Sequence, residues 1–280
     1  MCQPLDVAKI RLQLQVELGQ QRKYRHLLEL LTKLPREEGV LALWKGHVPA
    51  QLLSVTYGLA SFAVFESLAA SISRHNSSVS EQYKPLVHFL CGGLGGCAGT
   101  VASFPMDVVR TRLVAQQRHV YSGTCDAVSQ LYRCGGVAAF YRGFLPACLS
   151  VAPQSGLQFG LYSLLTSALH SMVTSDNVIT VQGSMVCGAV AGMATKTILY
   201  PLDVVKKRLQ VSGWSEGRQG LGSTVRYSSM RHCMLTILRE EGARSLYKGF
   251  TPALVKAVAT TSIHFTAYEW CCKVMLLRHS

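Results

Sequence analysis

Apolar runs long enough to cross a bilayer alternate along the chain with polar segments rich in Lys and Arg. Residues 48–73 carry one charged side chain, Glu66, while 86–104 and 144–173 contain no Asp, Glu, Lys or Arg. Residues 178–205 hold only Lys196 and Asp203, and 250–277 only Lys256, Glu269 and Lys273. A hydrocarbon core takes about 20 helical residues, so the pattern predicts five complete helical spans. The intervening segments 9–45, 110–142 and 206–248 each predict a polar loop with a short amphipathic helix.

Charge sharpens this picture. The three intervening segments hold 22 of the 28 Lys and Arg but only 8 of the 15 acids. The connectors on the opposite side, 74–85 and 174–178, carry only Arg74, Glu81, Lys84 and Asp176. The positive-inside rule places the basic segments on the interior side. Nucleic acid is excluded as a partner, because a soluble DNA-binding protein gathers its basic residues on one face of packed elements. Charged residues make up 15% of the chain, against about 25% in soluble domains, and the high apolar content excludes disorder. The ten Cys form no CxxC pair and no zinc-spaced set with His, so they read as buried thiols. No metal and no cofactor is expected.

Self-comparison finds three copies of one unit. Pro4-Leu5-Asp6-Val7-Ala8-Lys9 recurs as Pro105-Met106-Asp107-Val108-Val109-Arg110 and as Pro201-Leu202-Asp203-Val204-Val205-Lys206. Each is followed by an aromatic-basic-Gly mark: Trp44-Lys45-Gly46, Tyr141-Arg142-Gly143 and Tyr247-Lys248-Gly249. Seven residues before each of those glycines stands another, Gly39, Gly136 or Gly242, and three residues after it a proline, Pro49, Pro146 or Pro252. Two spans per unit predict repeats at 1–73, 85–173 and 178–278. Only Met1-Cys2-Gln3 precede the first motif, so the first transmembrane helix is expected to lack its N-terminal half.

The motif P-x-[DE]-x-x-[KR] in three copies, with the aromatic-basic-Gly marks, resembles the mitochondrial carrier family over essentially the whole chain. The resemblance implies an all-α membrane protein of three tandem two-helix repeats, pseudo-threefold around a central cavity. It implies a multi-pass monomer of the mitochondrial inner membrane, with both termini of the full-length form toward the intermembrane space. It also implies cardiolipin among the membrane lipid at the interior-side helix ends. Pro4, Pro105 and Pro201 are the expected helix kinks, because proline removes a backbone hydrogen bond. The resemblance further orders a ring of inter-repeat ion pairs on the interior side, Asp6–Arg110, Asp107–Lys206 and Asp203–Lys9. Gln13 and Gln210, four residues after two of those bases, resemble braces beneath the pairs, and repeat two has Val114 there. An outer ring is not expected: Phe65-Glu66, Tyr162-Ser163 and Tyr268-Glu269 face Ala69, Thr166 and Cys272 at the positions where a base would stand.

Transport needs polar groups midway through the bundle. Counted from the three repeat glycines, offsets of one helical turn give Leu53, Tyr57 and Ser61, then Ser150, Gln154 and Gln158, then Lys256, Thr260 and His264. Lys256 has no acid within one or two turns of its own helix, and Lys196 is similar. Intramembrane cations are rare and functional; here they predict an anionic ligand as counter-charge, and phosphate suits Lys as a point charge. Tyr57 is available to stack on an aromatic ring, with Gln154, Gln158 or His264 for ring nitrogens, while Ser150 and Thr260 add hydroxyls. Gly92, Gly96 and Gly99, with Gly188 and Gly192, predict close helix packing. The expected function is secondary transport of a phosphorylated, ring-bearing small molecule by alternating access, with nucleotides as cargo or exchange partner. The alternatives are another phosphorylated nucleotide or cofactor as cargo, or a truncated, non-transporting product. An enzyme is not expected: there is no His-x-x-x-His and no G-x-S-x-G, and Glu37-Glu38 and Glu240-Glu241 sit beside bases in loops.

Overall fold

A computed structural model describes residues 3–16, 24, 26–75, 84–117, 120–172, 181–214 and 226–260. Among these residues every regular element is helical and none is a strand. The long helices are α3 (His47–His75), α4 (Lys84–Ala115), α6 (Phe144–Met172) and α7 (Val181–Gln210). The shorter ones are α1 (Gln3–Leu14), α2 (Leu27–Glu38), α5 (Thr124–Gly135) and α8 (Met230–Thr236). A further helix, α9, occupies 250–260. The stretch Val40–Ile72 is by itself long and apolar enough to cross a membrane, and Val137–Leu169 passes jointly with α5, from which it bends by 110°. The expected span 250–277 lies partly outside the described residues.

Burial divides the molecule into two zones. On the long helices, large apolar side chains are exposed, among them Leu59 and Phe62 on α3, Leu94 on α4, Phe159 and Leu164 on α6, and Val190 and Ile198 on α7. An exposed apolar surface of that extent marks a lipid-facing wall. The dry core gathers at the basic ends instead, where Val7, Leu14, Val108, Val114, Val204 and Val211 are fully buried. The short loop helices seal this layer with matched pairs one turn apart: Leu30 and Leu34, Ala127 and Leu131, Cys233 and Ile237.

Glycines join the repeats into a closed circle. Gly46, Gly143 and Gly249 adopt φ of 76°, 83° and 79°, a region that favours glycine. A Cβ on Gly46 would stand 3.3 Å from the Arg110 carbonyl oxygen, on Gly143 2.9 Å from that of Lys206, and on Gly249 2.9 Å from that of Lys9. Repeat one therefore abuts two, two abuts three, and three returns to one.

The antiparallel pairs α3–α4 and α6–α7 pack along their lengths. In the first, a Cβ on Gly95 would meet the Ser61 carbonyl oxygen at 2.7 Å, and on Gly99 that of Tyr57 at 2.9 Å. The closest approach thus uses Gly95 and Gly99. Gly92 and Gly192, expected in this role, have nothing within 4 Å, and Gly96 meets only the ends of Tyr57 and Val151.

Candidate functional site

The three Pro-x-Asp-x-x-base turns converge at the basic end of the bundle. Pro105 and Pro201 lie inside continuous helices, α4 and α7, and Pro4 in the first turn of α1. Pro105 cannot donate to the carbonyl four residues back, that of Val101, which instead accepts from Tyr141 OH at 3.4 Å. The residue before each proline ties the turn to an aromatic-basic-Gly mark. Gln3 Nε2 donates to the Lys45 carbonyl at 3.2 Å and Tyr200 OH to the Lys248 carbonyl at 3.0 Å. Phe104, which has no donor, stacks on Tyr141 and meets Phe144 edge to face instead.

Each Asp then faces a base of another repeat. Arg110 Nη2 lies 2.6 Å from Asp6 Oδ2, Lys206 Nζ 2.8 Å from Asp107 Oδ2, and Lys9 Nζ 3.3 Å from Asp203 Oδ2. Lys207, which the sequence did not single out, donates a second ammonium to Asp107 at 2.8 Å. Gln210 Nε2 donates to Asp107 Oδ2 at 2.8 Å while its Oε1 accepts from Thr111 and Lys207. Gln13 Nε2 donates instead to Tyr200 OH at 3.1 Å.

Lys256 requires a correction. No acid neighbours it on its own helix, yet its Nζ lies 2.6 Å from Asp6 Oδ1 across the bundle. The expectation of an unpaired cation considered only local sequence, and Asp6 is 250 positions away. Asp6 thus bridges Arg110 and Lys256, one from each of the other repeats. Lys196 is exposed, and its electrostatic neighbours are Asp203, Lys9, Lys206 and Lys256. Both lysines therefore border the same ring of charges.

The remaining stripe residues are more dispersed. The Tyr57 phenol lies near Gly96 and Gly99 of α4, at the α3–α4 seam. Ser150 Oγ donates to its own helix at Ala147 O, 2.7 Å away. Gln154 and Thr260 are half-buried and Gln158 is exposed, while His264 lies outside the described residues.

Behind the ring, the two loop carboxylates each hold two bases. Arg11 Nη2 and Lys45 Nζ donate to Glu38 Oε2 at 2.8 and 2.7 Å. Arg208 Nη2 and Lys248 Nζ donate to Glu241 Oε2 at 2.9 and 2.6 Å. Burial opposes ionisation of both carboxyls. The hydrogen bonds and charges of Arg11 and Lys45, and of Arg208 and Lys248, outweigh it and hold them below the ordinary glutamate range. Charges so paired lock loop to helix at this end.

A family model described as mitochondrial carrier protein matches residues 1–76, 81–173 and 177–279. The chain is 42% identical over 275 residues to a Bos taurus protein named mitochondrial thiamine pyrophosphate carrier, covering 96% of this chain and 86% of that one. The Homo sapiens protein of the same name is 40% identical over 277 residues, covering 97% and 86%. An Arabidopsis thaliana protein named mitochondrial thiamine diphosphate carrier 1 is 35% identical over 294 residues, covering 95% and 87%.

Proposed function

This chain belongs to the mitochondrial carrier family, and from that premise we propose that it moves thiamine pyrophosphate across the mitochondrial inner membrane into the matrix by alternating access. Nucleotides or thiamine monophosphate are the exchange partners, and no bond is made or broken in the cargo. The basic end faces the matrix, the C-terminus faces the intermembrane space, and the unit is a monomer with anionic lipid at its matrix-side helix ends.

The observation that carries this reading is the placement of Lys256 on Asp6, at 2.6 Å. A cation that borders both the expected binding stripe and the ion-pair ring links cargo to gate. A pyrophosphate attracting Lys256 and Lys196 competes with Asp6 and Asp203 for the same ammonium groups, so anion binding weakens the ring that closes the matrix side. A ligand shifts a conformational equilibrium only through such differential contacts. Tyr57, Ser150, Gln154, Gln158, Thr260 and His264 are assigned to the thiamine moiety. The ring Asp6–Arg110, Asp107–Lys206 and Asp203–Lys9, braced by Gln210, is assigned as the matrix gate, with Gln13 holding Tyr200 beside it.

Liposomes containing the protein and loaded with unlabelled thiamine pyrophosphate test this by uptake of the labelled compound. Uptake is expected in the wild type, with a loss of at least tenfold in Lys256→Ala and a smaller loss in Lys256→Arg. Unchanged kinetics in Lys256→Ala removes that lysine from the site. Uptake of other nucleotides or phosphorylated cofactors in place of thiamine pyrophosphate reassigns the cargo.

A further inference from the structure

We propose that the basic end of repeat two is a binding site for a phosphate-bearing anion, held by Arg112, Arg142 and Arg226 and separate from the cargo path. The threefold repeat supplies the argument. In repeats one and three, the residue before the loop glycine is Glu38 or Glu241, clasped by an arginine of the odd-numbered helix and the lysine of the aromatic-basic-Gly mark. Repeat two keeps both bases, as Arg112 and Arg142, but has Gly135 where the carboxylate belongs.

The cationic frame is nevertheless in place. Arg11 Nε donates to the Val114 carbonyl and Arg208 Nε to that of Gln13. Arg112 Nε donates likewise to Gln210 O at 3.4 Å, and its guanidinium lies 5.7 Å from the Trp214 ring. Arg142 Nη1 donates to Ser212 O at 3.0 Å. A third arginine joins them, where repeat two itself has Val120: a Cβ on Gly213 would stand 3.3 Å from Arg226 Nε and 3.7 Å from Arg142 Nη1. Beside Gly135 is a cavity of about 220 Å³ lined by all three arginines, Gln130 and Cys134.

Among the described residues no carboxylate lines it. Asp126, the sole acid between 108 and 143, is held by the Ser122 N–H at 2.9 Å and by Gln130 Nε2. Arg112 is 5% exposed, so its charge is largely withdrawn from water, and among the described residues no acid meets it. Guanidinium forks match phosphate oxygens in pairs. A larger cavity of about 580 Å³ shares Arg142, Gly213 and Arg226, so the anion can carry a sizeable substituent. A soluble phosphate ester and an anionic lipid headgroup share this chemistry.

Cys134 gives a direct readout, being exposed in the same cavity, while Cys125 is exposed outside its lining. Alkylation of both thiols in the purified protein is followed by mass spectrometry. The probes are inorganic pyrophosphate in lipid-free detergent, and phosphatidylcholine vesicles with and without cardiolipin. Expected is a several-fold slowing at Cys134 and none at Cys125, lost in Arg226→Ala and in Gly135→Glu. The latter restores the carboxylate found in repeats one and three; Ala42 and Ser245 already stand beside Glu38 and Glu241 at the position where Ala139 faces Gly135. Protection by pyrophosphate supports the proposal, whereas protection by cardiolipin alone assigns the effect to the lipid already placed at the matrix-side helix ends and overturns it. Absence of protection by either, or protection that persists in Arg226→Ala, overturns the proposal.

Discussion

Glu241 is 3% exposed and its partner Arg208 fully buried, so either charge alone would be stranded in the dry layer. Removing one member of such a pair costs about 3–5 kcal/mol, and Glu241→Ala is expected to lower thermal stability by that order, read by a melting scan. The same carboxylate sets a pH limit. Its folded-state pKa lies below the ordinary value of 4.5, so its contribution is complete above that pH and disappears as pH falls through the lower value. Melting temperature should therefore drop on acidification below about 4.5, and less of that drop should survive in Glu241→Ala. The role of Glu241 was half legible: the acid-Gly step beside basic residues was visible, but its burial was not. The partner of Lys256 was not legible, because only the threefold closure brings position 256 to position 6.

Helix α4 carries glycines at 92, 95, 96 and 99, and sequence spacing permits two stripes, since 92–96 and 95–99 are both one turn apart. The structure uses the second, where α3 backbone lies within 3 Å of a would-be Cβ. Gly99→Val is expected to destabilise by about 1–3 kcal/mol through overpacking, measured by heat denaturation. Gly92→Ala, with nothing within 4 Å, is expected to be neutral or slightly stabilising, because Ala fits a helix better. Equal losses in both variants would mean that the α3–α4 seam is not where the helices meet most closely. Helix existence was legible from apolar runs bounded by charge. The contact register was not, because two faces of small residues satisfy the same periodicity.

Among the described residues, closure between repeats is concentrated at the basic end. At the basic end three repeats are joined by glycine–carbonyl contacts and by ion pairs that run from each repeat to another. On the other side, Glu66 faces Ala69 along its own helix, and Thr166 donates only to α6 carbonyls, at Tyr162 and Ser163. The inter-repeat order was legible only through family resemblance: acid and base three apart within one turn suit a local pair equally well, and threefold closure decides between them. If the ring is the gate, its charges must act as pairs. Lys9→Asp sets two carboxylates against each other at Asp203 and is expected to cut liposome uptake at least tenfold. The exchanged pair Lys9→Asp/Asp203→Lys is expected to recover a substantial part, a double-mutant outcome that independent structural damage at two sites does not produce. Without cargo, the basic end should also remain closed, so that an impermeant thiol reagent labels Cys148, an electrostatic neighbour of Lys206 in the ring, faster from the opposite side. Lys9→Asp should narrow that difference and the exchanged pair restore it. Uptake that falls further in the double variant, with labelling unchanged, would assign these pairs to folding alone.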